Sequence, residues 1–331
     1  MATYKEVIGT AVQSLANSTG TQEGQIWYDN ANNVFKLQTV STTGSWASGG
    51  VIPSAKRFNG GAGDNVNAML EWGGDNPPSG STITNTYDGT SWTTTPNSYP
   101  GATKGMGFAG IQTAALSFGG DYNNSRSAKT FLWNGSTWSA QNDLNTARDQ
   151  GSGAGTTSAA FYVGGNPGPG YGNNTETWDG SCWTNSSNLP YSVREAGSGG
   201  TVPAGWLMGG LTGNPTSFGS QTTEFSSGTW TSGNNVSGPA RWGQAAAGPQ
   251  TAGWIGTGNS GTTRVNNSEA YDGTSWSSNA TTNNSVIDPG SAGNGGVSGG
   301  YFGGEASTGN SNVTEEYSAA GSPTTVTLTT S

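Results

Sequence analysis

Six tryptophans recur along this chain at a nearly constant interval. They are separated by 46, 46, 45, 47 and 46 residues, and most of them close a motif in which an aromatic residue and a Gly-rich turn come first, as in Tyr87-Asp-Gly-Thr-Ser-Trp92. Such a motif is typical of two strand ends joined by a tight hairpin. A period near 46 with strand-type composition predicts a β-propeller. The six tryptophans are Trp46, Trp92, Trp138, Trp183, Trp230 and Trp276.

Each repeat carries further marks in a fixed order. A proline and a basic residue come first, then small residues, then an apolar strand that ends in two glycines, as in Phe118-Gly-Gly120. Small residues suit an innermost strand, because strands converge toward a propeller axis. Glycines at the strand end permit positive φ. The aromatic residues of the third strands are Tyr87, Trp133, Trp178, Phe225, Tyr271 and Tyr317.

The repeat count sets the number of blades. Six strands end in the diglycine or its variant Gly256-Thr-Gly258, and six third-strand aromatics follow them, but no tryptophan follows Tyr317. The unmatched tryptophan is Trp46. We therefore expect residues 43–50 to supply the outer strand of the blade formed by residues 282–317. The prediction is an all-β, six-bladed propeller with four antiparallel strands per blade and no open edge.

The residues outside the repeat predict an attachment segment. Residues 25–37 have the pattern of strand, turn and strand, and such a hairpin needs a surface to pack on. Its aromatic residues Trp27, Tyr28 and Phe35 are the expected docking contacts. We expect a docking segment at 1–42, the propeller at 43–317 and a strand-like tail at 318–331. The alternation in residues 324–329 makes this tail a candidate to pair with the hairpin.

Composition limits the chemistry that the chain can perform. There is no histidine and one cysteine, Cys182, so the commonest general base is missing and no intramolecular disulfide can form. The net charge of -9 argues against nucleic acid and anionic membranes as partners. No apolar run approaches the roughly 20 residues of a membrane span, and residues 1–10 lack the apolar core of a signal peptide. We expect a soluble protein without a cofactor.

The ordered marks of residues 43–317 resemble the Kelch-type β-propeller repeat. The resemblance implies four-stranded antiparallel blades. The whole chain is also similar to Kelch-like proteins of marine bacteriophages, particularly cyanophages, through an opening similar to residues 2–9 and a hairpin similar to residues 24–28. That similarity implies a virion protein, assembled in the bacterial host cytoplasm, that binds other phage structural proteins. Its oligomeric state would then be set by the docking site.

Enzymatic alternatives fit the residues poorly. Some Kelch-type propellers are copper oxidases, but their copper site needs histidines. The turn at Asp88 differs in length from the Asp-box of sialidases. Glu315 and Glu316 are adjacent on a predicted strand and point to opposite faces, so they cannot act together on a glycoside. Glycine-rich turns explain three other acids better than calcium binding does, namely Asp121, Asp179 and Asp272.

Basic residues at one repeat position allow two interpretations. They could form a ring that holds an anion, or each could pair with an acid or a backbone carbonyl, and we favour the second because structural ion pairs are common. The residues are Arg57, Lys104, Arg148, Arg194 and Arg241.

The loops after the diglycines differ most between repeats. Their Asn, Ser, Thr, Gly and Tyr content suits hydrogen bonding to glycans or proteins, and Tyr122, Arg126 and Tyr171 are the expected anchors. We therefore expect a non-enzymatic structural protein of a phage particle, a fibre or appendage component at tail, neck or head that can touch the host surface. A free carbohydrate-binding or polysaccharide-degrading propeller is the alternative, and a cellular Kelch adaptor is a weaker third.

Overall fold

The computed structural model describes residues 13–15, 25–40, 43–77, 79–212, 217–321 and 323–328. Within these ranges the regular structure is β-strand apart from one 3-10 turn at Gln250–Ala252. The chain divides into two compact units, one of residues 44–319 and one of residues 1–43 together with 320–331. The all-β prediction is confirmed.

The larger unit contains six antiparallel sheets, five with four strands and one with a fifth short strand, which we number by the order of their first strands. In sheets 1 to 5 the strands pair in chain order. The strands of the first three sheets are, in sheet 1, Arg57–Asn65, Ala68–Asn76, Thr84–Tyr87 and Trp92–Thr94, with Ser79–Gly80 also paired to the second; in sheet 2, Gly107–Ile111, Ala114–Phe118, Thr130–Trp133 and Trp138–Ala140; in sheet 3, Ser152–Gly155, Ala160–Val163, Thr175–Trp178 and Trp183–Ser186.

The other three sheets repeat this arrangement. Their strands are, in sheet 4, Gly197–Gly200, Ala204–Met208, Thr222–Ser226 and Thr229–Ser232; in sheet 5, Ala245–Ala247, Gly253–Gly256, Ser268–Tyr271 and Trp276–Ser278; in sheet 6, Gly290–Ala292, Ser298–Phe302, Thr314–Ser318 and Ser45–Ser48. Short strands pair in two of the loops after the diglycines. They are Asp121–Tyr122 with Ser125–Arg126, and Glu305–Ala306 with Gly309–Asn310, and Thr103–Lys104, before the first strand of sheet 2, pairs with Asp121–Tyr122.

Sheet 6 combines strands from the two ends of the larger unit. Strand Ser45–Ser48 pairs antiparallel with Thr314–Ser318, and Trp46 lies opposite Tyr317. The equivalent pair in sheet 1 is Tyr87 opposite Trp92. The expectation that residues 43–50 supply the missing outer strand is therefore confirmed.

The first strands of the six sheets lie side by side. They contact one another in chain order, and the first strand of sheet 6 contacts that of sheet 1. Glycine permits this proximity, since a Cβ on Gly61 of sheet 1 would lie 2.4 Å from the carbonyl oxygen of Ser291 in sheet 6. The small residues predicted for the innermost strands are thus required where two backbones approach closely.

Aromatic side chains fill the spaces between the sheets. Trp72, Trp133, Trp206 and Trp254 are buried, and Trp138 of sheet 2 lies against Trp72 of sheet 1 with ring centroids 5.1 Å apart. An aromatic side chain buries roughly 150 to 250 Å². This is how a chain with only 31% hydrophobic residues forms cores between its sheets.

The smaller unit is a four-stranded sheet, called here the terminal sheet. Its strands, in order across the sheet, are Gln13–Leu15, Ile26–Asp29, Val34–Val40 and Pro323–Leu328. The first pair is parallel and the others are antiparallel. The predicted hairpin is confirmed, and the C-terminal strand pairs with it. The segments predicted at 1–42 and 318–331 therefore contribute to one sheet.

Candidate functional site

The repeat tryptophans bind one sheet to the next. The indole Nε1 of each donates a hydrogen bond of 2.7–3.0 Å to a hydroxyl at the start of the third strand of the preceding sheet. The pairs are Trp46 with Ser268, Trp92 with Thr314, Trp138 with Thr84, Trp183 with Thr130, Trp230 with Thr175, and Trp276 with Thr222. Because the indole N–H bonds within the protein, each of these tryptophans has a structural role in joining two sheets.

The third-strand tyrosines also bond to neighbouring sheets. The Tyr87 hydroxyl donates to Glu316 at 2.6 Å, Tyr271 donates to Glu224, and Asn279 donates to the Tyr317 hydroxyl at 3.3 Å. Burial, together with the bond to Glu316, raises the pKa of Tyr87 to about 12. These contacts support the structural assignment of the three tyrosines.

A ring of six backbone hydrogen bonds, called here the mouth, surrounds one end of the space between the first strands. Each ring residue has a φ of 54–62°, and its N–H donates to the carbonyl of the equivalent residue in the neighbouring repeat at 2.7–2.9 Å. The bond from the first ring residue to the last makes the ring continuous. The six residues are Phe58, Gly105, Gln150, Glu195, Gly243 and Asp288.

The mouth leads into a small cavity of about 90 Å³. Its wall includes Phe108 and three serines, Ser152, Ser198 and Ser291. Beyond it, the side-chain amide of Asn294 donates to the carbonyl of Gly110 at 2.6 Å and so bridges two sheets. Pockets for small organic ligands usually measure roughly 300 to 1,000 Å³. This cavity therefore suits water or an ion and is too small for a sugar.

Two carboxyl groups of the mouth line the cavity. The Glu195 side chain is 6% exposed and Asp288 is 8% exposed. Burial raises the pKa of Glu195 to about 7, and burial with the negative charge of Glu195 raises the pKa of Asp288 well above its ordinary value. Asp288 Oδ1 lies over Gly243, where a Cβ would be only 2.6 Å away. Gly243 stands between the two acids in the ring, and the negative charge of Glu195 acts on the Asp288 carboxyl.

Sequence analysis missed this acid pair. Neither Glu195 nor Asp288 stands at a position that is acidic in the other repeats, where Phe58, Gly105, Gln150 and Gly243 are found. The available signal was position alone: each lies shortly before the small residues of a first strand.

The basic residues are ion-paired, as favoured, but they do not occupy one position. Arg148 and Arg241 lie two residues before the mouth, where they are buried and bond to buried glutamates at 2.5 and 3.1 Å. The other three lie one residue before it and remain partly exposed. Their partners are Asp75 and Glu305 for Arg57, Asp75 for Lys104, and Glu195 for Arg194.

The single-position prediction was wrong because successive residues of an extended chain point in different directions. Lys56 fills the buried position in sheet 1, beside Arg57, and pairs with Glu71 at 2.9 Å.

The three predicted loop anchors have partners within the protein. Tyr122 is half-buried, stacks on Phe131 and donates to the carbonyl of Pro100. Arg126 is exposed and pairs with Asp149 at 3.1 Å. The half-buried Tyr171 ring lies beneath the guanidinium of Arg194. The short strands bring Tyr122 and Arg126 together, whereas Tyr171 belongs to the loop of another sheet.

The predicted docking residues separate onto two faces of the terminal sheet. Tyr28 and Phe35 are cross-strand partners on one face, with ring centroids 5.2 Å apart. Trp27 points to the other face and is 2% exposed. Trp27 therefore cannot contact a partner directly in this conformation, because alternate residues of a strand face opposite sides.

Exposed apolar side chains surround Tyr28 and Phe35. Leu328 lies opposite Phe35 on the next strand, and Ile26 lies two residues before Tyr28, on the same face. The exposed fractions are 45% for Ile26, 46% for Phe35 and 39% for Leu328. We call Ile26, Tyr28, Phe35 and Leu328 the apolar face.

The remaining acids behave mostly as expected. Asp179 and Asp272 accept backbone hydrogen bonds within their turns. Asp121 was predicted in a turn and lies instead in the strand Asp121–Tyr122. Glu315 and Glu316 have different partners, Asn284 and Tyr87, as expected for opposite faces. Among the residues that the structure describes, no three acidic, cysteine or histidine side chains converge as metal ligands.

Within the described ranges, no helix is long and apolar enough to span a membrane. No protein-family model matches the chain, and no curated protein is significantly similar to it.

Proposed function

We propose that the larger unit is a six-bladed, Kelch-type β-propeller. Two repeated contacts support it, each linking every sheet to the next and sheet 6 back to sheet 1: the tryptophan-to-hydroxyl bonds and the backbone bonds of the mouth. The outer strand donated to sheet 6 by Ser45–Ser48 favours the same arrangement. A propeller that joins its chain ends in one blade has no open sheet edge there.

The chain acts, on this proposal, as a non-enzymatic structural protein of a phage particle, a fibre or appendage component attached through the terminal sheet. The apolar face carries the argument. Ile26, Phe35 and Leu328 are each more than a third exposed and lie on one face of a small sheet. Contiguous exposed apolar side chains mark surfaces that bind another protein. The partner is another structural protein of the particle, as the resemblance to phage proteins suggests.

The loops after the diglycines are available, on this proposal, for the host surface. Arg126 is the most accessible of the expected anchors, with 45% of its side chain exposed. A free carbohydrate-degrading propeller is less favoured, because the buried acid pair lines a cavity too small for a sugar and the repeat cations are ion-paired.

Mass spectrometry of purified particles of the phage that encodes the chain tests this function. We expect the chain among the particle proteins, and Phe35→Asp to remove it from them, because the charge would have to be buried in the docking contact. The matched control is Val297→Asp, which changes a valine that is 65% exposed in the larger unit. It should leave incorporation unchanged. Absence of the unaltered chain from the particles would end the proposal.

A further inference from the structure

The carboxyl group of Asp288 has no bonding partner among the described residues. Asp288 is 8% exposed and lines the cavity of the mouth. Burial and the charges of neighbouring side chains shift the pKa of its carboxyl group, and no hydrogen bond contributes to that shift. Glu195, on the same cavity, has one ion contact, 3.6 Å from the Nε of Arg194. An uncompensated buried carboxylate is costly unless a cation or a proton neutralises it.

A second group on the cavity wall also lacks a donor. Gln244 is 7% exposed, and its amide nitrogen donates to the carbonyl of Met208 at 2.7 Å. Its side-chain oxygen is buried and accepts no hydrogen bond from any described residue. Buried polar atoms without a partner are rare in native proteins and often mark an ion or water.

The serines of the cavity wall add further oxygen atoms that can act only as acceptors or ligands. Ser152, Ser198 and Ser291 each donate their hydroxyl hydrogen to a backbone carbonyl, at 2.8–3.1 Å. Their oxygens therefore keep only lone pairs for anything inside the cavity. Carboxylates, an amide oxygen and hydroxyl oxygens are hard ligands, and no thiol or imidazole lines this cavity.

We propose that the mouth binds one calcium ion, held by the carboxylates of Glu195 and Asp288 with oxygen atoms of the cavity wall and water completing its coordination. Calcium takes six to eight oxygen ligands at roughly 2.3 to 2.6 Å in flexible geometry, whereas magnesium demands a strict octahedron. A cavity of about 90 Å³ has room for such an ion with some of its water.

The positive charges of two nearby arginines limit the affinity of the mouth for calcium. Arg57 pairs with Asp75 and Glu305, and Arg194 contacts Gln150 and the Tyr171 ring, so both are partly neutralised but lie near the acid pair. With two carboxylates rather than the three or more of tight sites, the dissociation constant should be about 10⁻⁴ to 10⁻³ M, the range of weak extracellular modules.

Thermal unfolding of the full chain with calcium chloride or with a chelator tests the proposal. Ligand-linked stabilisation should raise the melting temperature by a few degrees at about 10 mM calcium. Glu195→Gln and Asp288→Asn should abolish that rise. Both variants should fold, since each removes a buried charge, and without calcium their melting temperatures should equal or exceed that of the unaltered chain. Titration calorimetry should give one site per chain in the unaltered protein.

Asp143→Asn is the matched control, because Asp143 is an exposed carboxylate paired with Lys129. It should keep the calcium response. The proposal is overturned if the unaltered chain shows no response at about 10 mM calcium, or if both mouth variants respond as fully as the unaltered chain.

Discussion

The indole Nε1 of Trp92 donates a hydrogen bond of 2.8 Å to Thr314 Oγ1, which joins sheet 1 to sheet 6. The two residues are 222 positions apart in the chain. The equivalent bond between sheets 1 and 2 joins Trp138 to Thr84 at 3.0 Å. The contact between first and last sheets is thus the same as the contact between consecutive ones.

Thr314→Val should destabilise the larger unit. Valine keeps the shape of threonine but removes the acceptor, so a buried indole N–H loses its partner at a cost of about 1 to 3 kcal/mol. Urea denaturation followed by tryptophan fluorescence measures the change. The control Thr93→Val makes the same substitution at an exposed position of sheet 1 and should cost little. Equal stability of the two variants would contradict the role given to this bond.

Arg148→Met should cost more than loss of a surface pair. The substitution leaves Glu176, whose side chain is 0% exposed, without its cation, and breaking a buried pair typically costs about 3 to 5 kcal/mol. Lys129→Met removes a cation from an exposed pair with Asp143 and should cost at most about 1 kcal/mol. Chemical denaturation of both variants checks the difference. Similar losses would mean that the buried pair is already compensated by its surroundings.

Two glycines of the mouth should respond differently to alanine. Gly105 and Gly243 have nearly the same φ, 60° and 62°, so each Ala variant bears the cost of a left-handed residue, about 1 to 2 kcal/mol. At Gly105 the new Cβ would be 3.3 Å from Gln150, whereas at Gly243 it would be 2.6 Å from Asp288 Oδ1. Gly243→Ala should therefore be the less stable in denaturation and should also weaken calcium binding. A larger loss for Gly105→Ala would argue against this geometry.

The chain should unfold in alkali. Burial raises the pKa of Tyr99, Tyr162 and Tyr301 above that of free tyrosine. The unfolded chain loses these protons near pH 10 and the folded chain only at higher pH, so stability is complete below pH 10 and falls above it. Above pH 10, and up to its pKa in the folded chain, each of these phenols lowers the free energy of unfolding by about 1.4 kcal/mol per pH unit.

Tyrosinate absorbance measured against pH checks this expectation. These phenols should ionise together with the loss of folded structure seen by circular dichroism. Ionisation near pH 10 in a chain that stays folded would contradict their burial.

Much of the fold can be predicted from the sequence, because each hairpin of the repeat is formed by neighbouring residues and is marked by aromatic residues at fixed positions. The hairpin from Tyr87 to Trp92 follows from its own letters, and the unmatched Trp46 predicts its pairing with Tyr317. Both predictions concern which strands pair, and the regular spacing of the aromatic residues is enough to predict that pairing.

The mouth could not be predicted in this way. Its members share a backbone conformation, not a residue type, since Phe58 and Glu195 adopt the same left-handed φ as Gly105. The acid pair formed by Glu195 and Asp288 depends on a ring contact between distant repeats. Strand alternation predicts that Trp27 and Tyr28 lie on opposite faces, but the sequence does not tell which of the two faces is buried, and it is the face of Trp27.

An electron cryo-microscopy map of the intact particle tests most directly the proposal that the terminal sheet attaches a six-bladed propeller. We expect density for six blades projecting from the particle, with Phe35 and Leu328 buried against another structural protein. A map in which the apolar face is open to solvent, or in which the propeller is held through a different surface, would contradict the account.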